Sequence, residues 1–410
     1  MPCGEQSSVR SRGRTRGIAV AALAAAATLV HYVAVSLATD AGSDQSTAAA
    51  VGPGAHRVVA ARVGGHEQRA RRAPAQPITL EWVGDMAMSS TLGLPPGGVY
   101  HAVSPLAPTL HDADITLGNL EGTLSVGGQS KCGATGSDGG TCFAFQAPPS
   151  TAYALRRLGF RLVNQANNHA QDFGPSGHAQ TIAALRRAGV AWTGDPGQIT
   201  YLTTHGVRVA FLGFAPYDYT SNLLDIPTAE AMVRTAARHA AIVVVIIHAG
   251  AEGSDQLHTP QGTQYFLGED RGDARLFAHS VIRAGASVVL GSGPHVIRGV
   301  QRYRGHLIAY SLGNFIGYRT LGGGGVLDDS GIMRVSLNPA NGRVVAARWI
   351  PLTLDSGIPR MAAADGDAPL VANLSLQDFP NSHFEIEPDG AFAPTSGRGT
   401  ASSTVDGTPG

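Results

Sequence analysis

Lysine is almost absent from this chain. Among 30 basic residues only Lys131 is a lysine, and 30 acidic residues bring the formal net charge to zero. A concentrated basic surface, the footprint of a nucleic-acid-binding domain, is therefore not expected. Aromatic residues make up only 6% of the sequence, although Tyr217, Tyr219 and Phe315 fall near the ends of apolar runs. That scarcity weighs against a nucleotide hydrolase built around a base-stacking pocket. The three cysteines, Cys3, Cys132 and Cys142, are too few for a thiolate metal set or a disulfide-dense scaffold. Charged residues are sparse at 15% against 43% hydrophobic, so a sizeable core is available and wholesale disorder is excluded. Glycine is abundant: 53 glycines and 24 prolines among 410 residues announce many loops and irregular ends.

The one long hydrophobic run lies at the start. Residues 17–38, GIAVAALAAAATLVHYVAVSLA, follow Arg10, Arg12, Arg14 and Arg16. A helix of that length crosses a hydrocarbon core of about 30 Å, and the arginines keep residues 1–16 as a cytoplasmic basic segment. Two readings stand: a transmembrane signal anchor, or a signal peptide cut after Ala38. Either places the rest of the chain outside the cytoplasm, at the cell membrane in single-pass form or secreted after cleavage. There Cys132 and Cys142, which bracket the Gly-rich loop KCGATGSDGGTC, are expected to form a disulfide. Residues 39–77 have no helical or strand period and read as a disordered linker, and residues 355–410 as an irregular, disordered tail.

Between them, residues 78–354 form one domain. Apolar runs at 78–85, 113–122, 161–169, 207–216, 241–250, 287–296 and 306–315 read as strands. Helical patterns with Ala, Leu or Ile at three- and four-residue spacing fall at about 148–158, 175–188, 228–239 and 270–284. Near-continuous apolar strands alternating with helices predict an α/β fold with strands buried on both faces. A closing hairpin over 331–354, turning at Asn338–Gly342, makes the sheet mixed or splits it into two packed sheets, a layered α+β arrangement.

Polar, metal-competent residues recur at the carboxyl ends of these runs: Asp85; Asn119 and Glu121; Asn167, Asn168 and His169; His248 with Glu252 beyond it; His295; and Asn314. In sheets of this kind ligands bind beyond the carboxyl ends of the strands, so residues scattered over the chain converge on one cleft. Carboxylates, an amide carbonyl and imidazoles suit Mn, Fe, Zn or Mg, one or two ions, better than copper or iron–sulfur clusters. His169 is placed to act as a general acid or to touch a substrate oxygen. Asn119, Asn167 and Asn314 read as supporting residues, and His178 and Asp172 as neighbours of the cleft. Each residue has a plainer reading alone, a capped turn for Asp85, a satisfied core histidine for His248, an ion pair for Glu121; packing does not explain their shared placement.

At these residues the sequence resembles the bacterial capsule-synthesis family, the CapA or PgsA-like proteins linked to poly-γ-glutamate. The motifs are VGDMAM (83–88), ADITLGNLEG (113–122), ANNHAQDFG (166–174), TIAALRRAGV (181–190), HAGAE (248–252), GSGPHVIRGVQRY (291–303) and YSLGNF (310–315). The resemblance implies a calcineurin-like metallophosphoesterase fold, a mixed β-sandwich flanked by helices. It implies metal ligation by Asp85, Glu121, Asn168, His248 and His295, with His169 and Glu252 at the reacting centre. It also implies work on an anionic envelope polymer at the membrane, in concert with synthase subunits, either by metal-dependent hydrolysis or as a non-catalytic polymer-binding accessory. Two segments depart from the family pattern, and a third position departs from that of typical metallophosphoesterases. Ala249 stands where an aromatic wall is usual, Ser292 and Gly293 where a histidine is common, and Ala87 removes the Asp-x-His pair of ordinary metallophosphoesterases.

Overall fold

The computed structural model describes residues 76–393 except 91–92, 134–141 and 364–365. The expected anchor and nearly all of the expected linker lie outside the described residues. Among the described residues no helix is long and apolar enough to cross a membrane.

Two mixed sheets pack face to face. The first runs Ile358–Met361, Val344–Asp355, Asp329–Leu337, Ile78–Met86, Ile115–Leu120, Phe160–Asn164, Ala191–Thr193, with Asn314–Ile316 also pairing to Ile78–Met86. The second runs Val300–Tyr303, His306–Ala309, Val288–Ser292, Ile242–His248, Val207–Phe214, Thr200–Thr204. The strand Ile242–His248 shows why. Its run IVVVIIH is almost wholly β-branched and fully buried, which suits a central strand. Ile242, Val244 and Ile246 face the other sheet, where they meet Leu80, Trp82, Leu117 and Leu162. Val243, Val245 and Ile247 point the opposite way, under the helices Ile226–His239 and Ala274–Ala284. The first sheet is covered on its outer face by Gly98–Val103, Thr151–Arg157 and Gly174–Ala188. The result is the expected mixed β-sandwich flanked by helices. Trp82 donates its indole N–H to the Gly291 carbonyl across the sandwich at 2.9 Å, fixing the two sheets at the depth where the polar residues begin.

Two expectations need correction. The run HLIAYSLGNF is not one strand. Gly313, at φ 70°, breaks it into His306–Ala309 in the second sheet and Asn314–Ile316 in the first. Asn314 therefore opens a strand beside Asp85 instead of ending one. Part of the expected tail also forms regular structure, over Ile358–Met361 and Ala368–Asp378. Ile358–Met361 extends the first sheet, and Ala368–Asp378 is a helix whose Val371 and Leu374 enter the core between the sheets. Its apolar period is short and is easily lost beside the Gly/Ser/Thr/Pro-rich residues 394–410 that follow.

Candidate metal centre

The strand Ile78–Met86 delivers Asp85 by a slip in register. Pairing with Ile115–Leu120 shifts between Trp82 and Asp85, at Gly84, whose φ is 81°. Without the slip Asp85 would share the side of Val83, which faces the helices. Only glycine fits there, because a Cβ would lie 2.4 Å from the Gly313 carbonyl oxygen.

Asp85 is fully buried and held from three directions. Asn119 Nδ2 donates to Oδ1 at 2.8 Å, the Gly293 N–H donates to Oδ2 at 3.1 Å, and His295 Nδ1 lies 3.4 Å from Oδ2. Asn119 is itself fixed: its Oδ1 accepts from Asn164 Nδ2 at 2.9 Å and Asn167 Nδ2 at 3.0 Å, so its Nδ2 must face Asp85. His295 has φ 61°, unusual for a residue with a Cβ. Asn314 holds it there, accepting from Nδ1 at 2.8 Å and donating to the His295 carbonyl at 3.1 Å.

Glu121 is the telling residue. It follows the strand Ile115–Leu120, is fully buried, and neither carboxylate oxygen has a hydrogen-bond partner. An unsatisfied buried carboxylate is expensive. Its oxygens converge with those of Asp85 and a ring nitrogen of His295, all within 4.8 Å of one another. Burial and the Asp85 charge push the Glu121 pKa well above the usual range. Burial also works against ionised Asp85, but the His295 contact and the charges of His295 and His248 hold its pKa below the ordinary value. Burial disfavours the His295 cation, yet Glu121, Asp85 and Glu252 raise its pKa to about 10. Three acidic side chains around one imidazole thus share a deficit of positive charge. These residues fit a divalent cation by donor type and by the unpartnered oxygens of Glu121.

The other expected residues lie around this trio. His248 ends its strand with Nδ1 3.5 Å from Glu121 Oε1 and 3.9 Å from Asp85 Oδ1. Its Nε2 faces Arg271 Nη2 at 3.2 Å. Burial and the Arg271 charge hold His248 well below its ordinary pKa. Glu252 reaches His295 Nε2 at 3.5 Å and pairs with Arg271 Nη1 at 2.6 Å. Asn168 and His169 border a cleft of about 500 Å³, whose other lining includes Lys131, Tyr217, Tyr219, Glu252, Phe266 and Arg271. The Asn168 Oδ1 is buried without a partner. His169 Nδ1 meets Asp172 Oδ2 at 2.9 Å, and Asp172 Oδ1 pairs with Lys131 at 2.7 Å. Burial lowers the His169 pKa despite Asp172. His178 turns away to Asp195. Cys132 and Cys142 are joined as a disulfide, next to Lys131 and at the cleft edge.

Sequence reasoning passed over Arg271, Lys131 and Asn164. Arg271 directly follows the two-residue strand Glu269–Asp270 in the polar segment GEDRGD, which has no apolar run, so the sequence pattern gave no signal. Yet it is 1% exposed, and a buried arginine needs acidic or lone-pair partners. Tyr217 and Tyr219 stack on the cleft wall with ring centroids 5.5 Å apart. Phe315 instead packs in the core against Phe160.

Residues 79–319 match the family described as bacterial capsule synthesis protein PGA_cap. A Bacillus anthracis capsule biosynthesis protein CapA is 27% identical over 305 residues, 69% of each chain. A Bacillus subtilis PGA biosynthesis protein CapA is 29% identical over 188 residues, 42% of this chain and 46% of that one. Among solved structures, a Staphylococcus aureus protein provisionally titled a 5′-nucleotidase, in complex with α-ketoglutarate, superposes with a TM-score of 0.38 at 13% identity. It covers 73% of this chain and 58% of its own; a likeness that distant carries no weight for fold or chemistry. The chain belongs to the bacterial capsule synthesis protein family.

Proposed function

We propose that this family member works outside the cytoplasm as a metal-dependent hydrolase in making, exporting or anchoring an anionic envelope polymer such as poly-γ-glutamate. The observation that carries the reading is the pair of buried, unpartnered Glu121 oxygens converging with Asp85 and His295. A divalent cation held there would supply Lewis acidity toward a phosphoryl or acyl oxygen. The protein's own groups do the rest. Arg271 and Lys131 present positive charge along the cleft to an anionic substrate. Asp172 accepts the Nδ1 proton of His169, which leaves the Nε2 lone pair on the other side of the ring. Because burial lowers its pKa, His169 is neutral near pH 7 and accepts a proton from attacking water. The bond cleaved is a phosphoester or an amide, and the apolar segment 17–38 tethers the domain at the membrane beside synthase subunits.

The rival reading is a non-catalytic polymer-binding subunit of the synthase complex. The Ser292/Gly293 departure favours it, because neither residue supplies the imidazole that the family commonly carries in the segment GSGPH, beside the strand end where Ser292 pairs with His248. One experiment separates the two. The purified chain, loaded with Mn²⁺, is assayed against a phosphodiester and a γ-glutamyl oligomer, beside Asp85→Asn and His169→Gln. Turnover lost in both variants supports hydrolysis; no turnover by the parent chain, with the oligomer still bound, sinks it in favour of the accessory role.

A further inference from the structure

We propose that this centre is built for a single divalent cation and that the guanidinium of Arg271 stands permanently where a second would sit. The inference rests on the metal-centre reading above and departs from the ligand set that the family resemblance implies. A second cation a few ångströms from the first would draw on His248, Glu252 and Asn168. Arg271 already holds two of these, with Nη1 2.6 Å from Glu252 Oε1 and Nη2 3.2 Å from His248 Nε2. Arginine donates and never accepts, so the His248 Nε2 lone pair is spent on it. The other ring nitrogen, Nδ1, is closed in by Asn119 Nδ2 at 3.1 Å, Ser292 Oγ at 3.3 Å and Glu121 Oε1 at 3.5 Å. Both ring nitrogens are therefore already in contact with groups of the chain. Ser292 adds no ligand, since its hydroxyl lies 3.3 Å from both His248 and the Ile247 carbonyl.

Arg271 is not a mobile surface group that a metal would displace. Its backbone N–H bonds the Gln264 carbonyl at 2.8 Å, its carbonyl accepts from Gly250 at 2.9 Å, and its side chain is 1% exposed. A divalent ion set against it would face a fixed like charge in a buried site. Arg271 also lines the cleft, so the charge a second metal would bring to an anionic substrate is supplied by the chain itself.

The test is a Mn²⁺ titration of the full chain, followed by metal analysis and electron paramagnetic resonance. One Mn²⁺ per chain with an uncoupled six-line signal is expected. Two per chain, or a spin-coupled pair, overturns the proposal while leaving the metal-centre reading intact. His295→Asn should weaken Mn²⁺ binding by more than about a hundredfold, and His248→Asn by no more than about threefold. Equal losses in the two variants would count His248 as a ligand and defeat the proposal. No saturable Mn²⁺ binding by the parent chain would defeat the underlying metal-centre reading instead. In the Mn²⁺-loaded protein, Arg271→Gln should lower affinity for inorganic phosphate by about ten- to a hundredfold, with Arg271→Lys in between; unchanged phosphate affinity in Arg271→Gln removes the role given to its charge.

Discussion

Glu81 and Asp85 lie four residues apart on the same strand, both fully buried, and their surroundings could hardly differ more. Glu81 is answered. Arg334 reaches its Oε1 with Nε at 2.8 Å and Nη2 at 2.6 Å, and Thr116 donates to Oε2 at 3.3 Å. Burial still raises its pKa, but its lone pairs are used. At the other end of the strand, Asp85 and Glu121 face each other with too little positive charge between them, and Glu121 has no hydrogen bond at all. Burial alone therefore does not distinguish a structural carboxylate from a ligand. What distinguishes them is whether the chain has supplied the counter-charge. Where it has, the group stabilises the fold; where it has not, the site is shaped for an ion.

Substitution at the two ends should separate these roles. The largest effect is expected at Glu121→Gln, which removes a carboxyl group without a partner. Mn²⁺ affinity, read by calorimetry, should fall more than about a hundredfold, while the metal-free melting temperature stays level or rises. A large drop in metal-free stability would show that Glu121 is a structural group after all. Next in size is Mn²⁺ itself: at about 100 times its dissociation constant it should stabilise the parent chain by about 2.7 kcal/mol and leave Glu121→Gln unmoved. Glu81→Ala should do the reverse of Glu121→Gln. Breaking a buried pair costs about 3 kcal/mol, at the low end because Arg334 is 24% exposed and keeps Asp112 at 2.7 Å. Chemical denaturation would read that loss, with Mn²⁺ affinity unchanged; lost metal binding would blur the division between the two ends.

The site was legible in the sequence to the extent that strands deliver side chains in order. Ile242–His248 announces itself by its β-branched run, and His248 by ending it. Asp85, Glu121 and His295 follow from the same placement, and the structure brings them within ligand distance of one another. Two kinds of feature were hidden. One is backbone geometry: the slip at Gly84 and the break at Gly313 decide which way Asp85 and Asn314 face, and a glycine in a run states only that some departure is allowed. The other is contact made from loops. Arg271 lies 23 residues beyond His248 in a charged loop, and only the fold shows that it closes on that ring. The C-terminal helix was hidden by composition, since the Gly/Ser/Thr/Pro-rich residues 394–410 that follow outweighed the short apolar stripe of Val371 and Leu374.

A third carboxylate, half-buried, supplies the intermediate case and the smallest expected effect. Asp367 precedes the helix Ala368–Asp378 and accepts the Ser330 N–H at 3.2 Å, but among the described residues no cation faces it. Burial, with the nearby Asp329 charge, raises its pKa to about 7. The folded state thus holds this proton more tightly than the unfolded chain, whose carboxyl titrates near 3.9. Its contribution to stability is fully present below that lower value and is lost progressively until the pH passes about 7. Asp367→Asn keeps an acceptor for Ser330 and removes the charge. Its advantage over the parent chain should be absent at pH 3.5, grow between pH 4 and 7, and level off above. The plateau should be on the order of 1 kcal/mol, because solvent screens a group this exposed. Paired denaturation curves across that range would read it. A flat difference would mean that the Ser330 hydrogen bond alone offsets the charge of Asp367, and that a missing cation matters only at full burial.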